Sequence, residues 1–426
     1  MSDTEICDLR TRRIWDSRGH PTIEVEIFLK GGGIGRGIAP SGASRGTYEA
    51  MDLRDGGSQF GGYDVTKAIQ GIQLEIKEIL KGQDASNQRN IDRLLIELDG
   101  TKHKTRLGGN ATIATSFAAA QAVANAKHIP LWRYLGGAKN SFLPLPEIQI
   151  FGGGVHAGNR VDIQDFMIIP IGARTFSEAL NWAAEVYLAA RRRLESSGNL
   201  FGIADEGGFW PMFKSNEEGI HNLVLAIEDA EFTPGQDIAI SLDIAASEFH
   251  KNGLYRLKRE GIDLDSDGLC ALLIDWIENY PICSIEDPLA EDDLDGMVRF
   301  TWAVRNRVQV VGDDFLVTNA GKVKSAVTNG ACNTLLVKPN QAGTLTETRA
   351  AFEAAQAANM GCIMSARSGE TEDTTIVHLA VGWGAPQIKI GSFSRSERMA
   401  KWNEGLRIAE SLDGGSLPPR FIFPWR

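Results

Sequence analysis

From about Glu5 to Pro40 apolar and polar side chains alternate, as in Thr22-Ile23-Glu24-Val25-Glu26-Ile27-Phe28, and Gly31-Gly32-Gly33 punctuates the run. A period of two sends successive side chains to opposite faces of a sheet, so this stretch predicts a small antiparallel meander. Between Val65 and about Leu98, and again from Ala111 to Ala126, apolar residues recur at helical spacing among many Ala, Leu, Ile and Lys. Helices should therefore pack on the meander. Gly136-Gly137-Ala138-Lys139-Asn140 breaks the rhythm ahead of Leu143-Pro144-Leu145-Pro146. A domain boundary is expected there, with a smaller α+β unit over residues 1–138 and a second unit over 139–426.

Beyond the boundary, short β-rich apolar runs alternate with long helical segments, which is how consecutive βα units read in sequence. The runs are Asp237–Asp243, Ile282–Asp287, Val308–Asp313, Thr334–Lys338, Gly361–Ser365 and Pro386–Ile390. The fold class expected is α/β, a TIM-like barrel behind the α+β domain. Nearly every run ends in a charged or polar residue, and in a parallel barrel the carboxyl ends of the strands share the face that carries the chemistry.

Three of those ends are carboxylates, Asp243, Glu286 and Asp313. Acids on neighbouring strand ends repel unless a hard cation lies between them, and Mg2+ is the economical choice. Taken singly, each reads equally as the cap of the following helix. Lys338 and Lys389 close or nearly close two further runs, and a lysine whose pKa is depressed by burial and a nearby cation can serve as a general base. Alone, either would be an ordinary ion-pair partner. Ala204-Asp205-Glu206-Gly207-Gly208 sets carboxylates in a glycine turn, and Gln164-Asp165-Phe166 ends another β-like stretch with an amide and an acid. Isolated glycine-flanked acids are commonly turn residues. Ser41-Gly42-Ala43-Ser44-Arg45-Gly46 has the composition of a mobile lid that could bring hydroxyl or backbone groups to an anion.

Composition narrows the partners. Hydrophobic residues at 43% and charged residues at 23% exclude a disordered or fibrous chain. A net charge of −11 argues against a nucleic-acid scaffold, because binding phosphate backbone needs clustered Lys and Arg. An anionic substrate must then be held locally, for example through a metal. Five scattered cysteines without a CxxC pair, no signal-like opening and no apolar run of membrane length favour a cytoplasmic protein outside the membrane.

Longer motifs join these segments: Asp16-Ser17-Arg18-Gly19, Pro40-Ser41-Gly42-Ala43-Ser44, Asp205-Glu206-Gly207-Gly208-Phe209, Ser284-Ile285-Glu286-Asp287, Val311-Gly312-Asp313-Asp314, Asn340-Gln341 and Arg367-Ser368-Gly369-Glu370. With the rest of the chain they resemble the enolase (phosphopyruvate hydratase) family along essentially the whole length. The resemblance implies an enolase-type α/β barrel with two Mg2+ ions. One would be held by Asp243, Glu286 and Asp313, and a second would join with substrate through the lid serine, Ser44. It also implies Lys338 as the base beside the substrate carboxylate, Glu206 as the acid assisting the leaving hydroxyl, Lys389 as an electrostatic partner of the carboxylate side, and Arg367 with Ser368 as the phosphate grip. His156 matches the family histidine, and Gln164 with Asp165 matches a Gln-Glu pair near the leaving group. The family is usually dimeric or octameric, so a homo-oligomer is implied.

The departures lie in the same pocket. Ser365-Ala366-Arg367-Ser368 stands where the family has Ser-His-Arg-Ser, so Ala366 replaces an imidazole; Asp165 shortens a glutamate by one methylene; Arg45 replaces a threonine in the lid. Gln149-Ile150-Phe151-Gly152-Gly153 replaces an Asn-rich stretch. Together they are expected to slow hydroxide departure and to welcome a further anionic group. Three readings stay open. The first is a specialised enzyme like carboxyphosphonoenolpyruvate synthase of phosphinate antibiotic biosynthesis, which joins a nucleotide-activated phosphonoformate to a phosphoglycerate-derived enol. The second is a divergent glycolytic enolase dehydrating 2-phosphoglycerate to phosphoenolpyruvate, and the third a non-catalytic binding protein on an enolase scaffold.

Overall fold

The computed structural model describes residues 3–43, 46–136, 142–305, 307–412, 414–420 and 423, with His156 by its backbone alone. The period-two stretch forms the expected meander, Ile6–Trp15, Pro21–Leu29 and Ile34–Ile38, antiparallel throughout. Its inward set, Ile23, Val25 and Ile27, is fully buried under the alanine-rich helix Gly109–Ala126. That helix lies so close to the edge strand that a Cβ at Gly35 would sit 2.1 Å from the Ala118 carbonyl oxygen, which only glycine avoids. The helical stretch expected over Val65–Leu98 is two helices. Residues 66–80 are helical with one wide turn at Ile72–Ile76, and Gln88–Asp99 restarts behind an Asn87 side chain that accepts the Asn90 N–H.

The second unit is a closed eight-stranded barrel. In chain order its strands are Leu145–Gly152, Asp165–Ile169, Ala239–Asp243, Ile282–Glu286, Gln309–Gly312, Thr334–Val337, Gly361–Ser365 and Gln387–Gly391. The six runs read from sequence each supply one strand. The second strand corrects the expectation of an all-parallel barrel, because Asp165–Ile169 runs antiparallel to both neighbours. Asp165 therefore opens its strand rather than ending it, and the reversal is what brings it opposite Asp243. Helices such as Phe176–Ser196, Asn216–Asp229, Ser266–Asn279 and Leu345–Ala357 surround the barrel, each begun by a side chain, Thr175, Ser215, Asp265 and Thr344, that accepts a first-turn N–H. The two units join tightly. Ser41 and Gly369 exchange backbone hydrogen bonds of 2.9 and 2.8 Å, and the buried Asp92 carboxylate accepts the Thr346 N–H at 2.8 Å.

Candidate active site

The strand ends bring the predicted groups to one rim. Asp243 ends the third barrel strand, Glu286 the fourth, Asp313 and Lys338 follow the fifth and sixth, and Lys389 lies on the eighth. Every one of them is buried. Asp293 and Asn319 cap the helices after Glu286 and Asp313, and Asp243 spends only Oδ1 on the Ala245 N–H ahead of its short helix, so capping does not account for the three carboxylates together. Lys389 Nζ stands 2.9 Å from Asp243 Oδ2, 2.9 Å from Glu286 Oε2 and 3.4 Å from Asp165 Oδ2. Burial works against its charge, yet these carboxylates hold the ammonium well above the ordinary lysine range. Gln164 Nε2 donates to Asp243 Oδ2 at 2.9 Å, so the amide belongs to the same network.

Lys338 donates to Asp313 Oδ2, while Asp313 Oδ1 accepts Gln341 Nε2 at 2.9 Å. Burial is the largest single influence and would lower the Lys338 pKa, but Asp313 and Glu286 together carry the net shift upward. The sequence reading expected burial and a cation to depress this lysine; in this arrangement the carboxylates win. Glu286 is pushed well above the carboxylate range by burial and by Asp243. Its neighbour Asp287, also raised by burial and by Asp313, spends both oxygens on the backbone N–H groups of Asp313 at 2.9 Å and Asp314 at 2.7 Å.

Arg367 follows the seventh strand and is buried, with Nη1 3.0 Å from Glu49 Oε2 and 3.0 Å from Asn340 Oδ1. Ser368 Oγ accepts the Ala43 N–H at 2.7 Å, which ties the first residues of the lid segment to the barrel. Ala366 is buried beside the eighth strand, its N–H donating to the Lys389 carbonyl at 2.9 Å. Glu206 is buried in its glycine turn, which Ser392, the residue just past the eighth strand, holds by donating its N–H to the Glu206 carbonyl at 2.8 Å. Ser44, Arg45 and the His156 side chain lie outside the described residues.

A model of the enolase C-terminal TIM barrel domain matches residues 140–417, and one of the enolase N-terminal domain matches residues 6–135. The chain is also 47% identical over 422 residues to Enolase 1 of Desulfitobacterium hafniense (strain Y51), a match covering 98% of this chain and 97% of that relative. The chain belongs to the enolase family. It is an enolase-superfamily enzyme, and membership implies a general dependence on Mg2+. Neither the family models nor that relative, by name, supports the specialised synthase or phosphinate biosynthesis. Among the described residues no helix is long and apolar enough to cross a membrane.

The rim of this enolase-family barrel suits a hard cation. Its donors are carboxylate oxygens, and Glu286 Oε1 is buried with no hydrogen-bond partner among the described residues. The tightest acidic group is a different one, since Asp287, Asp313 and Asp314 bring ligand atoms within 4.8 Å of one another. Asp287 is the poorer ligand of the two sets because its oxygens are already taken by backbone N–H groups. Sequence reading passed over Asp287 and Asp314, although each directly follows a residue it chose. It also missed Glu49, which pairs with Arg367 from 318 residues away and carries no local signal. Glu147 was missed too. This buried acid lies beside Lys389 in the strand register, accepts the Ser241 hydroxyl, and is raised by burial.

Proposed function

We propose that this enolase-family chain dehydrates 2-phosphoglycerate to phosphoenolpyruvate. The observation that carries the reading is the set of buried, opposed charges at one barrel rim, with Lys338 on Asp313 and Lys389 on Asp243 and Glu286. The neutral form of Lys338, the minor one while its ammonium pairs with Asp313, takes the C2 proton, the C2–C3 double bond forms as the C3–O bond breaks, and Glu206 with Asp165 delivers a proton to the departing hydroxide, so that water leaves. Arg367 and Ser368 receive the phosphate, Gln164 orients the acid side of the rim, and Lys389 faces the carboxylate. Asp243, Glu286 and Asp313 would hold Mg2+, which would supply positive charge beside the substrate carboxylate as the C2 proton leaves. Ser44 is assigned to a second Mg2+ and His156 to the catalytic set by resemblance, while the domain limits 1–138 and 139–426 rest on the break in the sequence pattern at Gly136–Asn140. The test is phosphoenolpyruvate formation from 2-phosphoglycerate at saturating Mg2+. A chain that forms none, and exchanges no C2 hydrogen with solvent, would refute the reading.

A second reading keeps the enolisation and hands the enol to a nucleotide-activated phosphonoformate. Ala366 favours it, since a methyl group where the family motif has an imidazole leaves room beside Lys389, and Arg45 would add a cation for the extra anion. Under this reading plain dehydration is slow, and the combined Ala366→His, Asp165→Glu and Arg45→Thr variant gains it. A wild-type dehydration rate unimproved by that variant decides for the first reading.

A further inference from the structure

The two acids assigned to the leaving group sit on separate segments, Asp165 at the start of the second barrel strand and Glu206 in a loop turn. One buried side chain touches both segments. Gln149, fully buried on the first barrel strand, donates through Nε2 to Asp165 Oδ1, and its Oε1 accepts the Gly208 N–H at 2.7 Å. The fit is close enough to dictate the neighbour. A Cβ on residue 208 would stand 2.5 Å from Gln149 Oε1, so glycine is needed there for the amide to reach the turn. The turn is further held to the same strand by Phe209 N–H to the Ile150 carbonyl at 2.8 Å and Gly152 N–H to the Phe209 carbonyl at 2.9 Å.

We propose that Gln149 is a positioning residue that sets the separation of Asp165 from Glu206 and thereby the proton delivery to the leaving hydroxide. The inference rests on the dehydration reading above. An amide is suited to the task because it donates at one end and accepts at the other, and because it stays neutral beside a carboxylate. Its reach is matched to the short acid: Gln149 carries the methylene that Asp165 lacks relative to glutamate. Shortening the amide alone withdraws it from one partner, and lengthening the acid alone drives the carboxylate into it. Doing both moves one methylene from residue 149 to residue 165 and leaves the combined length unchanged.

The experiment compares wild type, Q149N, D165E and the Q149N/D165E double variant, measuring 2-phosphoglycerate dehydration and solvent exchange of the C2 hydrogen at saturating Mg2+. Exchange reports the Lys338 step, so the ratio of dehydration to exchange isolates leaving-group departure. Each single variant should lower that ratio by about ten- to a hundredfold, the cost of a misplacement of about 1 Å, through kcat rather than KM. The double variant should recover to within about threefold of wild type, a recovery that a defect in folding alone would not produce. An unchanged ratio in Q149N, or a double variant as impaired as the two singles combined, overturns the inference while the reaction assignment stands. A wild type that neither exchanges nor dehydrates removes the assignment, and the inference falls with it.

Discussion

Replacing Lys389 by methionine keeps most of the side-chain volume and removes the ammonium that faces Asp243 and Glu286 at 2.9 Å and Asp165 at 3.4 Å. At an effective dielectric near 20, one such contact is worth roughly 5–6 kcal/mol of gross attraction, so three of them offset the cost of burying the lysine. What the variant loses is smaller than the gross figure, because carboxylates left without a partner take up protons or water. Breaking a buried pair by removing one partner costs about 3–5 kcal/mol. For a domain of this size about 2 °C of thermal midpoint accompanies each kcal/mol, so Lys389→Met should unfold about 6–10 °C below wild type in EDTA. Calorimetry or circular dichroism at pH 7 measures this directly. Excess Mg2+ should narrow the gap, since a divalent cation supplies the missing charge, and adding Glu286→Gln should recover part of it by removing one uncompensated carboxylate. A Lys389→Met midpoint within 2 °C of wild type in EDTA would refute the electrostatic account of the rim.

Lys338→Ala should stop exchange of the C2 hydrogen of 2-phosphoglycerate with deuterated solvent while the far-ultraviolet dichroism stays that of wild type; persisting exchange would move the base elsewhere, with Lys389 the first candidate. Asp313→Asn, which exchanges a charged oxygen donor for an amide where Lys338 and Gln341 both bind, should abolish dehydration and weaken Mg2+ binding at least tenfold by titration calorimetry. Asp314 gives a pH prediction, because burial and Asp313 push it from the ordinary 3.8 up to about 8. The folded chain keeps a proton there that the unfolded chain has released, so the stability from this group is present at low pH and is lost as pH rises towards about 8. In EDTA the urea midpoint of wild type should therefore fall more steeply between pH 5 and 8 than that of Asp314→Asn, and parallel profiles would remove Asp314 from the balance.

Much of this molecule is legible along the chain. The alternation in Thr22–Phe28 specifies a strand with Ile23, Val25 and Ile27 on its core face, the apolar runs ending in Asp243, Glu286 and Asp313 specify buried strands with polar tips, and the longer motifs mark the family. Such signals are local, because burial imposes a period on each element separately. Tertiary structure decided what depends on closure. The backward second strand has no mark in its own sequence, since Asp165–Ile169 is buried throughout and reads the same in either direction. Only pairing with both neighbours sets its sense, and so places Asp165 at the active rim. The direction of the Lys338 shift likewise followed from carboxylates distant in sequence, Asp313 first and Glu286 with it, which together override the burial that the apolar run Thr334–Val337 already announced. Glu49 on Arg367, and Gln149 between Asp165 and Gly208, belong to the same class. A chain can encode which side chains go inside residue by residue, but which buried charge meets which is fixed only when the barrel closes and the low dielectric interior forces each one to find a partner.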